Sequence, residues 1–167
     1  MRYHNITQDD MNNGDGLRVV LWVAGCEHHC KGCQNPVTWN PDDGLVFDKR
    51  AFNEIMKALE KSYVAGITFS GGDPLHPQNR GAVFSIMKAV QKRFPKTIWV
   101  YTGYTWEQIL ANKYLLAAVK YADVLVDGRF EEELKDVNYH WAGSTNQRVI
   151  DVQKSLQKGE VVLHESN

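Results

Sequence analysis

All three cysteines of the chain fall within one stretch of eight residues, as Cys26, Cys30 and Cys33. The spacing is C-x3-C-x2-C, short enough for one loop to wrap every thiol round a single centre. A cluster of this kind points to a metal more readily than to packing. A structural zinc site takes four protein ligands, and so does a closed iron–sulfur cluster. Three thiols without a fourth fit a four-iron cluster that keeps one iron free for another ligand. A Cys3His zinc site, with His28 or His29 as the fourth ligand, is the alternative from the same residues. The odd count and the lack of an export signal argue against a disulfide framework.

The fold class follows from what surrounds this loop. Leu17 to Ala24 is an almost unbroken apolar run, the pattern of a strand covered on both faces, and it ends at the first cysteine. Val37 to Val46 reads as loop. Asp48 is placed to cap a helix in which Phe52, Ile55, Met56, Leu59 and Tyr63 recur at helical spacing. Val64 to Ser70 is a second strand, closed by Gly71-Gly72-Asp73-Pro74. Asn79 is placed to cap a second helix, which Pro95 stops. Thr97 to Tyr101 is a third strand, ending at Thr102-Gly103. Thr105 and Gln108 form a capping box for a third helix. Ala122 to Val126 is a fourth strand, ending at Asp127-Gly128-Arg129. Residues 130–138 read as loop or a short helix, and Arg148 to Val152 and Glu160 to Leu163 as short edge strands.

Strands alternating with helices predict an α/β fold, a parallel sheet of βα units in a single domain over 1–167. Ligands in such sheets bind beyond the carboxyl ends of the strands. The cysteine loop, Gly71-Gly72-Asp73, Thr102-Gly103 and Asp127-Gly128 all fall on that rim. Gly71-Gly72 removes two side chains, which suits either close approach of a small polar ligand or a tight turn. Asp127 is placed to bind a hydroxyl or cation, or to cap the turn that follows. His28 reads as a donor to a cluster sulfur or as a solvated loop residue. Trp39 reads as core or rim packing, or, since it closely follows the cysteine loop, as a wall of the site.

Composition narrows the setting. Nineteen Lys and Arg against 20 Asp and Glu leave a net charge of −1, so no basic face invites nucleic acid. The first ten residues have no apolar core, so no signal peptide is expected, and no apolar run reaches membrane-spanning length. Free thiols without an export signal point to the reducing cytoplasm.

The motifs together resemble the radical S-adenosylmethionine (SAM) superfamily. More narrowly, they resemble the glycyl-radical activases of anaerobic ribonucleoside-triphosphate reductases. The resemblance covers Asn13 to Gln147. It rests on Asn13-Gly14-x-Gly16, Cys26-x-His28-x-Cys30-x-Gly32-Cys33, Asn35, Thr38-Trp39, Gly71-Gly72-Asp73-Pro74-Leu75, Pro77-Gln78-Asn79, Thr102-Gly103-Tyr104, Asp127-Gly128 and Trp141-x-Gly143-Ser144-x-Asn146-Gln147. Asp15 stands where that pattern has proline, and Gln34 where it has tyrosine. The resemblance implies a partial, open (β/α) barrel. Cys26, Cys30 and Cys33 would hold a [4Fe-4S] cluster. SAM would be bound by Gly32, Cys33 and Gln34 on the adenine side and by Gly71, Gly72 and Asp73 at the amino group, with Thr102 and Asp127 on the same rim. It implies reductive cleavage of SAM to methionine and a 5′-deoxyadenosyl radical, which makes a glycyl radical on the large catalytic subunit of the reductase. An electron donor such as flavodoxin is implied as well. The neighbouring readings are an activase of another glycyl-radical enzyme, a radical SAM enzyme acting on a small molecule, and a non-catalytic zinc-stabilised binding module.

Overall fold

The computed structural model describes residues 1–166. Seven strands form one sheet: β1 (Arg2–Asp10), β2 (Leu17–Val23), β3 (Leu45–Val46), β4 (Val64–Gly71), β5 (Thr97–Tyr101), β6 (Val124–Asp127) and β7 (Arg148–Asp151), in the spatial order β3-β1-β2-β4-β5-β6-β7. The middle four strands pair in parallel, as expected. The edges correct the expectation of a wholly parallel sheet, because β1 pairs antiparallel with β2 and β3, and β7 antiparallel with β6. No helix among the described residues is long and apolar enough to cross a membrane.

The helices are α1 (Lys49–Leu59), α2 (Arg80–Arg93), α3 (Trp106–Leu110), α4 (Lys113–Val119) and α5 (Val152–Lys158). Asp48 caps α1 by accepting from the Ala51 amide at 2.9 Å, and Thr105 with Gln108 forms the expected capping box on α3. Two expectations fail here. Tyr63 lies beyond the end of α1 and is 54% exposed. Asn79 does not cap α2 with its side chain, which is spent on the loop at the sheet rim instead. The expected strand over Glu160 to Leu163 reduces to a single bridge between Leu163 and Ile150, and the chain before it coils into α5.

Alternation along the strands divides the sheet into two faces. Val19, Leu21, Val23, Ile67, Phe69, Ile98, Val100 and Leu125 join Ile55, Leu59, Val83, Met87 and Ile109 of the helices in the main core. On the other face Trp99, Val124 and Val126 form a smaller cluster with Tyr101, Trp141 and Val149. Loops rather than helices cover that face near the site.

Arg18 lies on this second face with 0% exposure. All five of its N–H groups are used. Nε donates to Thr68 Oγ1 at 2.8 Å, Nη1 to the Asp15 carbonyl and Thr97 Oγ1, and Nη2 to the Ile67 and Thr97 carbonyls. Burial lowers its pKa to about 10, so it stays charged near neutrality. It cross-links β2, β4 and β5 at the end of the sheet away from the cysteines. Replacing Arg18 by Met leaves these acceptors orphaned and is expected to cost about 3 kcal/mol or more. For a chain of this size that lowers the melting temperature by roughly 6–12 °C. A melt within about 2 °C of wild type would show the guanidinium to be dispensable.

Candidate functional site

The cysteine loop leaves β2 and is held at its neck by backbone hydrogen bonds. Ala24 donates to the Arg2 carbonyl, Gly25 to Thr38 and Cys26 to Trp39. A 3₁₀ turn over Pro36–Thr38 returns the chain to that neck. The three cysteines are free and half-buried. Burial pushes the Cys26 thiol up to about 11, opposed by the backbone amides of His28 and His29. Burial also raises Cys30, opposed by the Phe130 amide and the nearby Arg129 guanidinium. The Asn35 amide donates to Cys33 Sγ at 3.4 Å.

Backbone donors are therefore turned toward all three sulfurs. Such donors stabilise thiolates that carry the charge of an iron–sulfur cluster, so the residues present fit one by their chemistry, although among the described residues no three Cys, His, Asp or Glu side chains are drawn close enough to hold a single metal ion. They fit a Cys3His zinc site through His28 poorly, because both nitrogens of its ring are engaged elsewhere. His28 Nε2 lies 2.6 Å from Asp73 Oδ2, and Arg129 Nε donates to His28 Nδ1 at 3.2 Å. An arginine only donates, so Nδ1 accepts and the imidazole proton sits on Nε2, directed at Asp73. His29 stacks on Trp39, with ring centroids 4.5 Å apart.

Asp73 is the node behind the loop. Its side chain accepts from the Leu75 amide, the Thr102 hydroxyl, the Gly103 amide and His28, at 2.6 to 3.0 Å. Its backbone amide donates to the Gly25 carbonyl, and Asn79 Nδ2 donates to the Ala24 and Asp73 carbonyls. The residue is 1% exposed. Thus Asp73, Thr102 and His28, read separately in the sequence, meet in one buried network that ties the cysteine loop to the ends of β4 and β5.

Two glycines make the approach possible. A Cβ on Gly72 would lie 2.5 Å from the Gly25 carbonyl oxygen and 2.8 Å from that of Thr38. A Cβ on Gly103 would lie 2.4 Å from the His28 ring. Gly72 thus serves contact between two backbone segments, the tight-turn reading of the pair.

A cavity of about 880 Å³ opens beside the loop, lined among others by Cys30, Cys33, Gln34, Gly71, Tyr101 and Trp141. Cys26 lines a neighbouring cavity with His29 and Trp39. Gly32 faces Glu132, whose carboxylate carbon a Cβ would meet at 2.9 Å. Asp127 lines a third, smaller cavity. Its buried carboxylate accepts from the Trp106 amide and from the amide and guanidinium of Arg148. It joins β6 to α3 and β7 rather than capping the turn that follows it. Asp15, at the far end, pairs with His164 at 2.7 Å. The sequence reading missed Tyr101, Arg129 and Phe130. Tyr101 was findable, because alternation along β5 puts it on the cavity face. Arg129 carried no signal, since nothing local marks a surface arginine.

The 4Fe-4S single cluster domain family matches residues 12–150. The chain is 45% identical over 150 residues to the anaerobic ribonucleoside-triphosphate reductase-activating protein of Enterobacteria phage T4, which covers 89% of this chain and 93% of that protein. It is 39% identical over 150 residues to the protein so named from Pasteurella multocida, covering 88% and 95%. It is 40% identical over 152 residues to that of Escherichia coli, covering 89% and 97%. The chain belongs to the family of anaerobic ribonucleoside-triphosphate reductase-activating proteins and carries that family's 4Fe-4S domain.

Proposed function

We propose that this protein is a radical SAM oxidoreductase that installs a glycyl radical on the large catalytic subunit of an anaerobic ribonucleoside-triphosphate reductase. The observation that carries the reading is the cavity itself. Two of three clustered thiols line one side, the Gly71 backbone lines it too, and the mouth is open. The sheet is read as the partial (β/α) barrel of that superfamily, one domain over 1–167, at work in a reducing cytoplasm. Cys26, Cys30 and Cys33 hold the [4Fe-4S] cluster. Held by those three thiolates, a cluster would supply the single electron needed to cleave the sulfonium of SAM to methionine and a 5′-deoxyadenosyl radical.

The chain's own residues bind and orient. The backbone of Gly32, Cys33 and Gln34 meets the adenine. The backbone at Gly71, on the cavity wall, meets the amino group of SAM, and Gly72 holds the turn behind it. Asp73 and Thr102 act from behind, since the Thr102 hydroxyl is spent on the carboxylate and the carboxylate on His28 and the Leu75 and Gly103 amides. Asp127 fixes the end of β6 in the same indirect way. An open mouth suits a protein substrate whose own surface shuts out water while the radical exists. A one-electron donor such as flavodoxin supplies the reductant.

The test combines reduced, reconstituted protein, SAM and the cognate reductase subunit without oxygen. A stable glycyl-radical signal in electron paramagnetic resonance is expected, and none from a subunit with its radical glycine changed to alanine. Turnover of a small metabolite with no protein radical would overturn the activase reading. A second expectation concerns Gly72→Val. The valine collides with the Gly25 and Thr38 carbonyls, so the variant loses most of its iron on reconstitution. Wild-type iron content with weakened SAM binding would instead put Gly72 against the ligand.

A further inference from the structure

The segment after β6 lies against the cysteine loop. Arg129 Nε bonds to His28 between the first two cysteines, the Phe130 amide turns toward Cys30, and Glu132 packs on Gly32. The segment is pinned from the other side. Asn146 Nδ2 donates to the Arg129 carbonyl at 2.8 Å, Gln147 Nε2 to the Gly128 carbonyl, and the Glu131 amide to Ser144 Oγ. His28 in turn is 5% exposed and anchored on Asp73. The guanidinium is thereby held at a fixed place beside the cluster loop, although Arg129 itself is exposed.

The other charges there are arranged differently. Lys31 and Glu132 face one another at 3.9 Å, with Lys31 84% exposed, so they largely cancel and water screens them. Arg129 has no carboxylate partner among the ion pairs of the described residues. A positive charge without a counter-ion favours the state of the cluster that carries one more electron.

Resting on the cluster reading above, we propose that Arg129 is a positioning and charge-tuning residue of the iron–sulfur centre: held by His28 beside Cys30, it makes the cluster easier to reduce. It touches neither iron nor SAM in this role and acts through the loop. A docked partner that covers the mouth would remove water from the guanidinium and strengthen the same effect.

The test is a redox titration of reconstituted wild type, Arg129→Gln and Arg129→Lys, with iron and sulfide measured in each. Wild type and both variants should hold about four irons. At the wild-type midpoint potential, Arg129→Gln should show a roughly threefold lower ratio of reduced to oxidised cluster. That is just under half of the 59 mV that a tenfold change represents for one electron. Arg129→Lys should recover most of the loss, and the gap between wild type and Gln should shrink as salt rises, as a charge effect must. An unchanged ratio in Arg129→Gln overturns the proposal, and so does loss of the cluster in both variants, which makes Arg129 a structural residue. Wild type without the cluster would remove the cluster reading itself, an outcome distinct from a normal wild type with an unaltered variant.

Discussion

The site depends on one buried carboxylate. Among the described residues no lysine or arginine pairs with Asp73, and its charge is met by a hydroxyl, two amides and an imidazole N–H. Burying a charge without donors is prohibitive, so this position is tolerable only while all four elements stay in place. The dependence runs both ways. The carboxylate needs the Thr102–Gly103 corner and the His28 loop, and each of those is located by the carboxylate. Three segments distant in sequence are thereby fixed to one another at the mouth of the large cavity.

The fold is built to present that junction. Parallel strands β2, β4, β5 and β6 bring their carboxyl ends to one rim, and Arg18 ties three of them together at the opposite end with every donor satisfied. Helices seal one face with apolar side chains, and the other face keeps the polar and aromatic residues that line the cavity. Rigid strands hold the node, while the loops between them carry the chemistry.

Much of this was legible in the sequence because strands buried on both faces leave unbroken apolar runs. Leu17 to Ala24, broken only by Arg18, and the shorter Val64 to Ser70 read as buried strands, and the groups that end them then share a rim. The edges were not legible. β1 offers only Tyr3 and Ile6 to the core, so Arg2 to Asp10 lacks the apolar density that marks a strand. Tyr63 matched the helical period but lies past the point where α1 ends. Asn79 occupies a capping position, and local propensity could not reveal that its amide is drawn to two carbonyls at the rim. The family resemblance implied a ligand role for Asp73 at the amino group of SAM. Its partners come from residues 28 and 102, and only the folded chain brings them within hydrogen-bond reach.

The most direct measurement is the iron content of Asp73→Asn after reconstitution without oxygen, read beside its thermal melt. Asparagine keeps the shape but turns an NH₂ toward groups that themselves donate, so about 2–3 kcal/mol is expected to be lost, and the melting temperature to fall by roughly 4–12 °C with the fold retained. The account predicts that this folded variant holds less than half of the iron of wild type, because the cysteine loop has lost its anchor. A folded Asp73→Asn protein with about four irons and sulfides per chain would contradict it.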